Sequence, residues 1–400
     1  MLIHWIWLAQ RPKVPDRVKR ELLERMGDAE DVYHADRQAL GDVSREALQA
    51  LLDKELSGAE KILAQCSEKG IQILTYGDEG YPPALRSIPD PPLVLYCKGQ
   101  LPALDAAPVI GVVGTRKASP YGLNVAERLG FQIAKCGGIL VSGAASGVDG
   151  RAMDGALTAG GAVVGVLGCG VDVVYPASNR ALFEEMERRG CLVSEYPPQT
   201  PPAKWNFPKR NRIISGLSDG VLVVEAPKIS GALITARQAL EQGRDVYVVP
   251  GNIDVDTCVG SNGLLRDGAT AVGSGWDILS GYEEVYPQAV RRWQGEVPVV
   301  ERENVVPKVA QKPRLPRKTV APVKKVIDNG SASPYIDGEN APALSGLEGT
   351  IVERLRQGAC VVDDLIVATG EPAGKLLSTL TMMEVRGILR RLPGDRLELK

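Results

Sequence analysis

Histidine is almost missing from this chain: the 400 residues hold two, His4 and His34. Both lie near the N-terminus, so a Ser-His-Asp or Cys-His nucleophile and base in the body of the chain is excluded in practice. Cysteine is present but never paired in a C-x-x-C motif; the seven stand singly at 66, 97, 136, 169, 191, 258 and 360. With so few histidines beside them, a zinc site is not supported. Scattered thiols in odd number read as small buried hydrophobes in a reducing compartment. Asp149, Asp154, Asp172 and Asp219 match no metal-ligand spacing, so no metal is expected and a nuclease is disfavoured. Long hydrophobic runs are absent too: none approaches the ~18 apolar residues of a membrane helix. The start, MLIHWIWLAQ, lacks a basic n-region and a small-residue cleavage site. The chain is therefore expected to be cytoplasmic, without membrane contact.

Excess charge of either sign is lacking as well, the formal net charge being -2. Any phosphate-binding surface must then arise from local clustering of Lys and Arg. What remains is ordinary globular material, 44% hydrophobic and 24% charged, long enough for two or three domains. Residues 1–66 carry helical spacing over Arg17–Met26 and Arg45–Cys66, predicting a small helical domain of the SAM or helix-hairpin-helix kind. A tight Gly hairpin between basic helix ends is not evident there, which favours a packing or spacer role.

From 71 to 286 short apolar runs alternate with amphipathic stretches. The runs are Val109–Val113, Ile139–Ser142, Val163–Leu167, Cys191–Ser194, Val221–Glu225 and Val246–Val249. Helical patterns such as Leu123–Lys135 and Ala232–Gln242 lie between them. This alternation predicts an α/β, Rossmann-like, doubly wound and mostly parallel sheet. Residues 287–345 read as a basic, Pro-rich linker; its stretch from Lys308 to Lys325 holds Lys308, Lys312, Arg314, Arg317, Lys318, Lys324 and Lys325 and no acid. Residues 346–400 predict helices over Leu347–Leu355, Val362–Ala368 and Pro372–Met383, then a hairpin turning at Pro393-Gly394-Asp395. That is the outline of a winged helix. Its third helix offers only Lys375 as a basic residue, leaving partner binding and weak DNA contact equally open.

The chemistry gathers where the predicted strands end. Gly114-Thr115-Arg116-Lys117-Ala118-Ser119 follows the first core strand and precedes a helix. Gly114 would let an anion approach, free amides at the helix start would point outward, and Arg116 would add a planar cationic fork. Neither G-x-G-x-x-G nor G-x-x-x-x-G-K-[ST] is present, so no dinucleotide or nucleotide cofactor is indicated. Gly143 after the second strand and Gly168 after the third repeat the small-residue theme on one sheet edge, where such folds bind ligands. Arg180 and Phe183, three apart at a helix start, suit a single strand by pairing a phosphate grip with a stacking ring. Phe183 reads more readily as a core residue. Lys209, Arg210, Asn211 and Arg212 form the most basic folded stretch. Arg210 and Arg212 cannot share a helical face, so one is expected to bind phosphate and the other to pair internally, with Glu225 and Glu195 as candidate partners.

Taken together these segments resemble the DNA processing protein A (DprA, or Smf) family. The likeness runs from Ile73 to about Leu279, carried by YPPAL at Tyr81, VGTRKAS at Val113, SGAASGVDGRA at Ser142 and LGCGVDVVYPASNRALF at Leu167. It continues through FPKRNRIISGLSDGVLVVEA at Phe207, SGALITARQALEQGRDVYVVPG at Ser230 and GSNGLLRDGA at Gly260. The resemblance implies binding of single-stranded DNA without strong sequence preference, a homodimer through the Rossmann-like domain, and recruitment of a RecA-type recombinase during natural transformation. It also implies DNA contacts at Gly114, Arg116, Arg180, Phe183 and the Lys209–Arg212 cluster; the missing histidine, nucleotide and metal signatures separately predict a protein that is not an enzyme. The family pattern usually has a bulkier or basic residue where Ala145-Ser146 stands, and His where Met153 stands. Two rival readings stand beside it. A nucleotide phosphoribohydrolase is partly echoed by Gly231, Thr235, Arg237 and Glu241 but lacks P-G-G-x-G-T-x-x-E. A transcriptional regulator would use the winged helix.

Overall fold

The computed structural model describes residues 1–297 and most of 347–399. The chain divides into two compact units, Met1–Asn304 and Val305–Lys400. Most of the expected basic linker, Lys375 and the Pro393-Gly394-Asp395 turn lie outside the described residues.

The first unit begins with six short helices: α1 (Leu2–Gln10), α2 (Asp16–Met26), α3 (Ala29–His34), α4 (Arg37–Leu40), α5 (Arg45–Leu52) and α6 (Ser57–Glu68). Helix α1 is apolar on every side and buries His4, Trp5, Ile6, Trp7 and Leu8, as an all-round hydrophobic helix must. The expected single helix over Arg45–Cys66 is broken at Asp53–Leu56. There the Asp53 carbonyl accepts hydrogen bonds from Trp7 Nε1 (3.0 Å) and Arg11 Nη1 (3.0 Å) instead of continuing the helical ladder. These helices share one hydrophobic cluster with Ile71, Leu93, Val94 and Tyr96 of the segment that follows, so they pack as part of the same body.

A nine-stranded sheet comes next: β1 (Gln72–Thr75), β2 (Val94–Gly99), β3 (Val109–Val113), β4 (Ile139–Ser142), β5 (Val163–Val166), β6 (Cys191–Ser194), β7 (Gly220–Val223), β8 (Asp245–Val248) and β9 (Thr270–Ala271). The spatial order is β1-β2-β6-β5-β4-β3-β7-β8-β9. From β6 to β9 every pairing is parallel, and β3 to β7 are buried at every position, which is why they read as continuous apolar runs. Strands β1 and β2 pair antiparallel with each other and β2 antiparallel with β6, an edge the apolar runs did not announce. Helices flank the sheet: α7 (Pro83–Arg86), α8 (Pro120–Lys135), α9 (Val148–Thr158), α10 (Arg180–Arg189), α11 (Asn206–Leu217), α12 (Gly231–Glu241), α13 (Val259–Arg266) and α14 (Gly275–Leu279). Ser119 caps α8, its side chain accepting from Gly122 N–H, with Pro120 at the first helical position. Cys66, Cys97, Cys136, Cys169, Cys191 and Cys258 are buried. Among the described residues no helix is long and apolar enough to cross a membrane.

The second unit contains α15 (Leu347–Arg356), β10 (Cys360–Val361), α16 (Val362–Thr369), helical residues between Leu376 and Glu384, and the antiparallel pair β11 (Leu389–Leu392) and β12 (Arg396–Leu399). Strand β10 adds to β12, giving the order β10-β12-β11. Ile351, Leu355, Leu365, Leu376, Leu380, Met383, Leu389 and Leu397 form its core. Helices closed by a three-stranded wing make this a winged-helix domain.

A charged seam joins the N-terminal helices to the sheet body. Lys209 of α11 reaches Asp16 of α2 (2.8 Å), and Lys19 bonds the same carboxylate (3.2 Å). One turn on, Arg212 binds Glu195 (2.8 Å) and Asp90 (3.1 Å). Burial opposes the charge on Asp16, yet hydrogen bonding and attraction from Lys209 and Lys19 hold it below the usual aspartate value. A depressed carboxylate stabilises the seam above the unfolded value, and that stabilisation is lost as pH falls through the folded one. Arg212 and Glu195 are nearly buried, so removing one charge strands the other. We predict that Glu195→Gln costs on the order of 3 kcal/mol in urea unfolding, lessened where Asp90 compensates. A loss within about ±0.5 kcal/mol, the range of an ordinary surface change, would show the pair to be incidental.

Candidate nucleic-acid interface

Strands β3, β4, β5 and β7 end on one edge of the sheet. The chain steps from β3 to β4 and β5 on one side but places β7 on the other, so the strand order switches between β3 and β7. Crevices at such switch points are where doubly wound sheets hold ligands. Here a groove of about 370 Å³ separates Gly114–Lys117 from Pro227–Ala232, with Asp149, Arg210 and Asn211 lining it. It adjoins a cup of about 100 Å³ bounded by Tyr175 and Phe207. The cup in turn adjoins a depression of about 450 Å³ beside Ser146, Asn179 and Asp154. Arg116 borders all three, which together form one trough.

The loop after β3 owes its shape to Glu225, which is 1% exposed at the end of β7. Its backbone carbonyl accepts from Thr115 N–H (2.7 Å), while its carboxylate accepts from Ser119 N–H (2.9 Å) and from the Ser119 hydroxyl. The helix start expected to offer free amides to a phosphate therefore already holds an internal carboxylate, where the helix dipole favours negative charge. Gly114 is likewise explained by packing: a Cβ there would lie 2.5 Å from Val148 of α9, so the small residue serves close approach of loop and helix. Arg116 and Lys117 are both exposed. Arg116 has no hydrogen bond or ion pair to any described residue, and its guanidinium carbon sits 5.2 Å from the centre of the Phe207 ring.

Arg210 organises the floor. It is 4% exposed. Its Nη1 donates to the Gly143 carbonyl (3.1 Å) and to the Val166 carbonyl, and its Nε donates to Asn211 Oδ1 (3.3 Å). The guanidinium carbon lies 5.9 Å from the Phe207 ring centre, so two arginines approach one ring. Burial pushes the Asp149 carboxyl up, while the charge of Arg210 draws it back. Burial also lowers Arg210, to about 10, which leaves it charged at neutral pH. Gly143 is small because a Cβ would lie 2.7 Å from both Arg210 and Asp149. Gly168 makes room for Phe207 (2.8 Å to its Cβ position) and accepts from Asn206 Nδ2 (3.0 Å). Asn211 donates to the Gly231 carbonyl (3.2 Å), tying α11 to α12.

The helical period sorts the basic cluster. Phe207, Arg210, Asn211 and Ile214 of α11 line the groove, whereas Lys209 and Arg212 point to the seam with the N-terminal helices. Lys209 and Arg212, expected as DNA contacts, are thus engaged by Asp16, Glu195 and Asp90. Of the two internal partners expected, Glu195 receives Arg212. Phe183 is 2% exposed in the core with Leu182 and Met186, so it is not available for stacking. Arg180 stands at the start of α10, beside the Asn179 side chain that donates to the Ala144 carbonyl (3.1 Å). The ring on the trough is Phe207, partnered by Tyr175 at 5.6 Å between centres and 32° tilt. Both stand in the quoted motifs, but only the face of α11 distinguishes Phe207 from Phe183.

Fold and trough define a Rossmann-like protein with a cationic, aromatic-floored groove at its strand ends and a winged-helix partner unit. The sequence model of DNA recombination-mediator protein A matches residues 72–283, and that of the DprA winged helix domain matches 337–395. The DNA processing protein DprA of Bacillus subtilis is 44% identical over 219 residues, covering 55% of this chain and 74% of that protein. Protein Smf of Synechocystis is 30% identical over 419 residues, covering 98% and 97%. Among solved structures, DNA processing protein A from Streptococcus pneumoniae superposes with a TM-score of 0.62 at 30% identity, over 70% of this chain and 98% of that one. The Helicobacter pylori protein, described for its single-stranded DNA binding mode, gives 0.50 at 31% identity, over 55% and 99%. The chain belongs to the DNA recombination-mediator protein A family, DprA/Smf.

If Gly114 is there for packing, Gly114→Ala should cost about 1–3 kcal/mol. Combining it with Val148→Ala should cost less than the sum of the two single changes, since both act on one contact. Strict additivity in urea denaturation would assign Gly114 another role.

Proposed function

We propose that this protein binds single-stranded DNA along the trough, without strong sequence preference, and does so as a carrier and not as a catalyst. The observation that carries the reading is Arg116, an exposed cation set where three depressions meet and backed by the Phe207 ring. Lys117 on the same loop and Arg180 at a neighbouring helix start add to the positive field. Guanidinium groups and ring faces read phosphate and the π-face of any base, not the base edges, which is the basis for tolerance of sequence. The binding mode described for the Helicobacter pylori relative supports the same ligand here. Membership of a recombination-mediator family supports handing the bound strand to a RecA-type recombinase, with a homodimer formed through the Rossmann-like domain, in the cytoplasm during DNA uptake and transformation. On this reading the segments 1–66, 71–286 and 346–400 serve as anchoring helices, DNA-binding body and partner-binding wing.

In band shifts the protein should prefer single strands to duplex. Arg116→Ala should weaken that binding about tenfold or more, as removal of a charged hydrogen bond implies. The slope of log affinity against log salt should flatten by about 0.7, the share of one phosphate on a single strand. Unchanged affinity and slope in that variant would overturn the site.

A further inference from the structure

We propose that Lys69, at the end of α6, is a positioning residue for strand binding: by holding Asp172 it fixes the wall of the trough that runs from β5 to α10. The proposal rests on the single-strand reading and gives the N-terminal helices a part in it. Tyr175 and Pro176 of that wall bound the cup, and Ser178, Asn179, Ala181 and Leu182 bound the depression beyond it. The wall is pinned at both ends. At one, the Cys169 carbonyl accepts from the Ser194 hydroxyl (2.7 Å) and Gly170 N–H donates to the Thr200 carbonyl (3.0 Å). At the other, the Asn179 side chain donates to the Ala144 carbonyl (3.1 Å). Between them, among the described residues, the hydrogen bonds that hold 171–178 to other segments both end on the Asp172 carboxylate. One comes from the Lys69 ammonium and the other from Gln199 N–H (2.8 Å).

The Asp172 side chain is 10% exposed, and Lys69 is its salt-bridge partner among the described residues. Burial opposes the charge on Asp172, yet the hydrogen bonds from Lys69 and the Gln199 amide hold its carboxyl below the usual aspartate value. Space is short as well: a Cβ on Gly170 would lie 2.7 Å from that carboxylate and 2.9 Å from the Gln199 nitrogen. Gln199 adopts a φ of 65°, a left-handed backbone that a residue other than glycine keeps only where its surroundings over-determine it. Without Lys69 the carboxylate would lose its countercharge and keep a single N–H, and it would regain solvation only by moving outward with its loop. Lys69 and Asp172 line none of the three depressions, so their effect on a bound strand passes through Tyr175 and the start of α10.

The test measures oligothymidylate binding by the full chain over a range of salt, for the wild type, Lys69→Met, Asp172→Asn, the two combined, and Lys69→Arg. Lys69→Met and Asp172→Asn should each weaken binding about threefold or more, and the double variant should lose no more than the worse single one. The direction for Asp172→Asn is diagnostic, because removing a carboxylate near a polyanion by charge alone strengthens binding. The slope of log affinity against log salt should stay at the wild-type value in Lys69→Met, since no phosphate contact is lost. Lys69→Arg, which keeps the ion pair, should bind as the wild type does. Hydrogen exchange in the free protein should quicken over 171–178 in Lys69→Met and stay unchanged in α11. Tighter or unchanged binding by Asp172→Asn, a flattened salt slope in Lys69→Met, or exchange quickened throughout the chain would overturn the positioning role while leaving the trough intact. Failure of the wild type to bind the oligomer would overturn the single-strand reading and this role with it.

Discussion

The guanidinium of Arg210 is the interaction on which the trough depends. It gathers the carbonyls at the ends of β4 and β5, holds Asn211 of its own helix, and faces a buried Asp149. These groups are buried, so each carbonyl bond replaces solvation that folding removed. One side chain thereby sets the spacing of two strand-end loops relative to α11. Phe207, one turn earlier, inherits a fixed place against Gly168 and beside Arg116. The aromatic floor is a consequence of the buried cation, and the exposed cation is aimed by the floor.

Charge is used in two distinct ways on the two faces of α11. Toward the trough, Arg210 is offset by buried Asp149 and carbonyl oxygens, and Arg116 is left exposed. Toward the N-terminal helices, Lys209 and Arg212 are matched by Asp16, Glu195 and Asp90. Glu225 acts similarly at the start of α8, where a carboxylate from the chain itself fills a position that elsewhere suits a phosphate. A chain with a net charge of -2 can still present a local cationic track, because the basic side chains on the far face of α11 are cancelled by carboxylates. Helix α11 also links the trough to the seam: its Phe207 and Arg210 line the one, and its Lys209 and Arg212 bond the other.

Much of the architecture is legible in the sequence. Six parallel strands appear as apolar runs because burial on both faces removes any alternation, and their loops fall on one edge as a matter of topology. The antiparallel strands β1 and β2 and the short β9 are not: β1 and β9 lie at the two edges and are partly exposed, while β2, buried between β1 and β6, stands outside the strand-helix alternation that marks the others. Glycines at 114, 143 and 168 mark a tightly built region: a Cβ at each would crowd Val148, Arg210 or Phe207, and Gly114 and Gly143 also line the trough. Spacing told that Arg210 and Arg212 face apart; it could not tell which face meets the sheet edge and which meets α2. The choice between Phe183 and Phe207 is of the same kind, decided by long-range packing that no local pattern encodes. The break in the helix over 45–66 follows from Trp7 and Arg11, more than forty residues away in sequence.

The central claim is a path: a single strand crosses the strand-end trough and leaves the other face of α11 untouched. Photo-crosslinking a halogenated oligonucleotide to the intact protein, with peptides mapped by mass spectrometry, reads that path directly. The account predicts crosslinks within the Gly114–Ser119 loop, at Tyr175 and at Phe207, competed away by unmodified single strands. Crosslinks concentrated instead around Asp16, Glu195 and Lys209, with the trough silent, would contradict it.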